Sequence, residues 1–205
     1  MLLHLPFPPK NTLGEKMKRI AFFAVMTLAA ATLAFSGGEE EAAGDEMSTE
    51  AAPVVMFEDS ESVTEAGVTV QWRVEGDNLT VVMSAETEGW VSVGFDPSRQ
   101  MADANIIIGY VDDGEVFVRD DYGTGSVRHG ADVENGGVDN LSNVQGSEAG
   151  GVTTIRFTIP LDSGDSMDKP LEVGSSYTVI VAYGPNRADD FGSYHSSRGS
   201  FEMQL

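Results

Sequence analysis

GWVSVGFDPSRQMADANIIIGYV, Gly89 to Val111, reads as a strand, a polar loop and a second strand. In the first part Trp90, Ser92 and Gly94 alternate with Val91, Val93 and Phe95, the period of two that sends neighbouring side chains to opposite faces of a sheet. Asp96-Pro97-Ser98-Arg99-Gln100 breaks that pattern with turn formers, and Met101 sits on the break. Ala104 to Val111 is then almost continuously apolar, as a strand covered on both faces should be.

The same period extends outward. Val68, Val70, Trp72 and Val74 share one face, the turn Glu75-Gly76-Asp77-Asn78 follows, and Leu79 to Ala85 completes a hairpin. Glu115 to Asp121 follows an Asp112-Asp113-Gly114 turn, while Val152 to Ile159, Tyr177 to Tyr183 and Ser200 to Leu205 are further strand-like runs. No segment offers a convincing amphipathic helix. Many short strands separated by Gly- and Asp-rich breaks predict an all-β, antiparallel, immunoglobulin-like β-sandwich.

The N-terminal end reads differently. Lys18 and Arg19, the largely apolar run Ile20 to Phe35 and the small-x-small Ala34-Phe35-Ser36 make residues 1–36 a secretory signal, with 1–16 a misassigned start and Met17 the true one. The apolar run is short for a membrane span, so none is expected after cleavage, and the protein is placed in the periplasm or secreted. Residues 37–52 are acidic and small, an expected disordered linker, and residues 53–205 suit one folded domain. The chain has no cysteine, which excludes disulfides, iron–sulfur clusters and thioether-linked haem. Its formal charge is −21, and cleavage leaves 8 basic against 32 acidic residues, near −24. Such a surface repels nucleic acid and favours a partner with a basic surface.

Gly89 to Phe95, Met101 to Gly109, the Val111 to Gly114 turn, Gly151 to Phe157 with Pro160 to Asp165, Ala182-Tyr183-Gly184 and Tyr194-His195-Ser196-Ser197-Arg198-Gly199 stand in an order that resembles the DOMON domain. That family implies a β-sandwich holding haem b or a sugar. The haem b cytochrome domain of cellobiose dehydrogenase is similar, and it grips iron between a methionine and a histidine. The resemblance puts those roles on Met101 and His195. It implies haem b as cofactor, a redox partner protein and electron transfer outside the cytoplasm, with a haem-free carbohydrate or small-ligand module as the alternative.

Beside the proposed ligand, Arg198 is the expected propionate partner, ahead of Arg99 and Arg187, and Trp90 and Tyr194 are expected pocket walls. His129, between Gly123 and Gly130, is the reserve imidazole. Trp72 and Trp90 are the residues that would stack on a sugar. The acid-rich loops at Asp112-Asp113, Asp120-Asp121, Asp162 to Asp168 and Asp189-Asp190 lack the spacing of a calcium loop and read as solvated turns. No nucleophile elbow, phosphate loop or His-Glu-x-x-His motif is present, so a non-catalytic role is favoured over an enzyme.

Overall fold

Val68, Val70 and Trp72 turn to one side of their strand and are buried, while Thr69, Gln71 and Arg73 turn to the other and are only partly covered. Burial of one face of each strand builds two sheets. The computed structural model describes residues 54, 56–58 and 60–205; the signal expected over 1–36 and the linker expected over 37–52 lie outside the described residues.

The strands are β1 (Glu61–Glu65), β2 (Val68–Glu75), β3 (Asn78–Ala85), β4 (Val91–Phe95), β5 (Asn105–Asp112), β6 (Glu115–Gly125), β7 (Arg128–Ala131), β8 (Ser142–Ala149), β9 (Val152–Pro160), β10 (Ser176–Tyr183) and β11 (Ser197–Gln204). Among the described residues the only helical segment is a 3-10 turn, Asp132–Glu134. A five-stranded sheet runs β1-β2-β3-β9-β8 and a six-stranded sheet β11-β10-β4-β5-β6-β7, with every pairing antiparallel. The fold is therefore an all-β antiparallel sandwich, and no described helix is long and apolar enough to cross a membrane.

Between the sheets lie Leu79, Val81 and Met83 of β3, Val91, Val93 and Phe95 of β4, and Ile155 and Phe157 of β9. Fully burying side chains of this size contributes about 1.5–3 kcal/mol each. Met83 is fully buried, as its alternating strand position predicts. A second, smaller cluster covers the outer face of the six-stranded sheet, where Trp90, Ile108 and Ala188 pack with Tyr110, Ala182 and Phe191. Its cover is the β10–β11 connection, residues 184–196, which returns across that face.

Three strands escape the sequence pattern: β1, β7 and β8. β8, SNVQGSEA, carries almost no apolar residue because it is an edge strand with five of its eight residues exposed. Its Gly146 is required by packing, since a Cβ there would meet Val116 at 2.8 Å and Ile155 at 2.9 Å.

Candidate functional site

The β4–β5 loop that carries Met101 is locked onto β6. Ser98 donates to the Asp103 carboxylate, as does the Tyr122 hydroxyl at 2.9 Å, and these bonds hold the Asp103 carboxyl below the usual range. The Asp103 amide donates to the Gly123 carbonyl at 2.8 Å, and the Gly123 amide returns to Ala104 at 2.9 Å. Gly123 permits this approach because a Cβ there would lie 1.7 Å from the Met101 carbonyl oxygen. The Met101 amide is 3.4 Å from the Ser126 carbonyl, in the turn that joins β6 to β7. Met101 itself is half-buried.

His195 belongs to the other end of the sheet. The Ser196 amide donates to the Tyr183 carbonyl, and Tyr183 lies opposite both Ser197 and Val91, whereas Met101 follows Phe95 at the far end of β4. The four-residue rise of β4 alone separates those levels by about 13 Å, and β11 lies four strands from β6 in the sheet order. By strand register Met101 and His195 thus leave opposite ends of β4, rather than the one end at which the two loops were expected to converge. The other members of that set are also placed elsewhere. Tyr194 is 79% exposed with its ring tilted over His195, at 4.3 Å between centroids, and Arg198 is exposed on β11 opposite Ala182. Trp90 is buried beneath Ala188, with its indole so close to Gly184 that a Cβ there would meet Nε1 at 2.4 Å. Trp72 and Trp90 are each 5% exposed, so neither offers a platform for a sugar ring.

The imidazole at the Met101 end is His129. It stands on β7, three residues beyond the Ser126 that holds the Met101 amide. Its Nδ1 lies 2.5 Å from Oδ2 of Asp121, and Nε2 has no partner among the described residues. Asp121 is fully buried and also takes Arg119 in two bonds, Nε at 2.5 Å and Nη2 at 2.7 Å. Burial pushes the Asp121 carboxyl up, but the His129 and Arg119 hydrogen bonds more than offset this and hold it below the usual range. Phe191 caps the network, with the Arg119 guanidinium 4.4 Å from its ring centre.

Asp120, the next residue along β6, faces the opposite way, as alternation requires. It joins Asp132 of the 3-10 turn and half-buried Asp168 of the β9–β10 loop, with one ligand atom from each inside a 4.8 Å span. Asp120 is 2% exposed and Asp132 0%. Burial, then the charges of Asp168 and Asp132, push Asp120 up to about 8; burial, then Asp168 and Asp165, push Asp132 up to about 7. Burial likewise raises Asp168. Sequence reasoning took Asp120 and Asp168 for solvated turn residues and passed over Asp132. The one available signal was strand alternation, which sends Asp120 to the face opposite Asp121.

A family model of the DOMON domain matches residues 64–184. DBH-like monooxygenase protein 1 from Homo sapiens is 30% identical over 136 residues, 65% of this chain and 21% of that protein; its Mus musculus counterpart is 30% identical over 138 residues, 66% and 22%. The chain thus spans about a fifth of the length of these relatives. Among solved structures, the cytochrome b domain of pyranose dehydrogenase from Coprinopsis cinerea superposes with a TM-score of 0.53 at 13% identity, over 70% of this chain and 80% of that one. The cytochrome domain of Myriococcum thermophilum cellobiose dehydrogenase gives 0.49 at 9% identity, over 67% and 74%.

Proposed function

The chain belongs to the DOMON domain family, and on that premise we propose that it binds haem b and transfers electrons outside the cytoplasm, with Met101 and His129 as the iron's ligands. The observation that carries this reading is the placement of an Asp121-oriented imidazole on the hairpin that anchors Met101. The fold shared with a cytochrome b domain supports the cofactor class. The donor chemistry fits as well, since a thioether and an imidazole are both established ligands of haem iron and would hold it here.

The residues divide the work. Asp121 accepts from Nδ1 of His129, which fixes the ring and leaves Nε2 with the lone pair a metal needs. Arg119 neutralises Asp121 so that the buried carboxylate stays ionised. The bonds from Ser98 and Tyr122 to Asp103 hold the Met101 loop in place without using its side chain. Bound haem supplies a one-electron couple whose potential a thioether ligand raises. The acidic surface selects a redox partner with a basic face, and the leader over 1–36 supports export.

Reconstitution of the purified chain with hemin tests the reading. The expected outcome is a low-spin Soret and α-band spectrum that Met101→Ala and His129→Ala abolish and His195→Ala leaves intact. A colourless reconstituted protein, or a spectrum that survives His129→Ala, overturns it.

A further inference from the structure

We propose that Asp120, Asp132 and Asp168 form a calcium-binding site that ties the β7–β8 and β9–β10 loops to the six-stranded sheet. This cluster lies on the face of β6 opposite Asp121 and His129, shares no ligand with them and does not depend on haem.

The first argument is desolvation without compensation. Oδ1 of Asp120, both carboxylate oxygens of Asp132 and Oδ1 of Asp168 are buried with no hydrogen-bond partner, as is the carbonyl oxygen of Asn105, whose side chain also reaches Asp168. Native proteins pair buried polar atoms, and one locality with five unpaired acceptors calls for a shared donor of positive charge. Among the described residues no basic side chain is paired with these oxygens. Lys169, adjacent to Asp168 in sequence, instead lies 3.3 Å from Asp96 and donates to its backbone carbonyl.

The second argument is the donor set. Every candidate atom is oxygen, with no imidazole or thiolate in the cluster, which selects a hard cation over zinc or copper. Oxygens about 2.4 Å from Ca2+ lie up to about 4.8 Å apart across the ion, against about 4.2 Å for Mg2+. One oxygen from each of the three carboxylates lies within 4.8 Å of the others, close enough for all three to reach one such ion.

The third argument is that the surroundings are built to hold the acids where they are. The Asn140 amide donates to Asp120 Oδ2 at 2.9 Å, and the Asn140 side chain donates to Asp168 Oδ2 at 3.2 Å. The Asp132 carbonyl receives the amides of Asn135 at 2.9 Å and Gly137 at 2.8 Å. Gly137 lets the two loops touch, because a Cβ there would meet Met167 at 2.7 Å and Asp165 Oδ2 at 3.0 Å. These bonds fix the backbone around Asp132 and one carboxylate oxygen each of Asp120 and Asp168, while the other oxygen of each stays unpaired.

The test uses the purified chain after chelator treatment, titrated with Ca2+ or Mg2+ by calorimetry and followed by thermal unfolding. Ca2+ is expected to bind once per chain and, at a hundredfold excess over its Kd, to raise the midpoint by about 5–10 °C. Asp132→Asn removes one member of a repelling group, so the metal-free variant should melt above the metal-free parent while binding Ca2+ at least about tenfold more weakly. That opposed pair of effects separates loss of a ligand from loss of fold. Absence of both heat and shift in the parent overturns the proposal, as does an unchanged Ca2+ response in both Asp132→Asn and Asp120→Asn. Equal shifts from Mg2+ at the same concentrations overturn the assignment to calcium.

Discussion

Nδ1 of His129 lies 2.5 Å from Oδ2 of the fully buried Asp121, a carboxylate that Arg119 grips from its other side. One acid thereby orients an imidazole and is itself kept ionised by a guanidinium.

Replacing Asp121 by Asn should release both partners. Breaking a buried charged network costs on the order of 3 kcal/mol, somewhat less here because Arg119 is 33% exposed and keeps access to water. Urea unfolding at neutral pH measures this. Because the folded-state carboxyl is held below its ordinary value, its contribution is present above the unfolded value and is lost as the pH falls through the folded one. The difference between parent and Asp121→Asn should therefore shrink in acid; a constant gap down to the acid transition would refute the network's role.

Gly123→Ala should push the Met101 loop off β6, since the new Cβ would sit 1.7 Å from a backbone oxygen that cannot swing away. A loss of about 2–3 kcal/mol is expected, within the range of overpacking. Gly125→Ala, two residues on, has nothing within 4 Å and a φ that any residue adopts, so it should stay within about 0.5 kcal/mol of the parent. Equal effects of the two substitutions in thermal unfolding would show that steric contact is not the cause.

In chelator, stability should fall as the pH rises between about 4 and about 8. Asp120 and Asp132 have folded-state values near 8 and 7, above their unfolded ones, so both favour the folded state in acid and penalise it once ionised. Saturating Ca2+ should flatten or reverse this slope. Chelator-treated protein that gains stability over the same range would exclude the paired, buried acids as the source.

Phe191→Ala should loosen the 184–196 connection and leave the sandwich intact. The ring packs on Tyr110 at 5.0 Å and under Arg119 at 4.4 Å, contacts worth about 1 kcal/mol each. Hydrogen exchange should quicken at residues 186–195 while β4 and β10 keep their protection. Faster exchange throughout the sheet would mean that Phe191 supports the whole fold.

The β-sandwich was legible in the sequence because its central strands bury alternate residues, so the apolar pattern of Val68 to Val74 or Trp90 to Phe95 carries the fold directly. Edge strands gave no such signal: β8 leaves its side chains in water and β7 is four residues long. The site was less legible for a different reason. Met101 and His195 stand in recognisable sequence blocks, yet their relation in space depends on which end of β4 each loop leaves, and that is a property of strand order. The buried acids were hidden because Asp120, Asp132 and Asp168 come from three separate segments with no fixed spacing.

The strand order also bears on how the molecule assembles. β9 must slot between β3 and β8, with Asn78 meeting Pro160, and β10 between β4 and β11, with Val91 meeting Tyr183. Neither sheet can close until the last third of the polypeptide has emerged, so hairpins made early during synthesis wait unpaired. Such distant pairings make folding slow, in the range of milliseconds to seconds, an interval in which the unpaired edges of the early hairpins stay open to other chains.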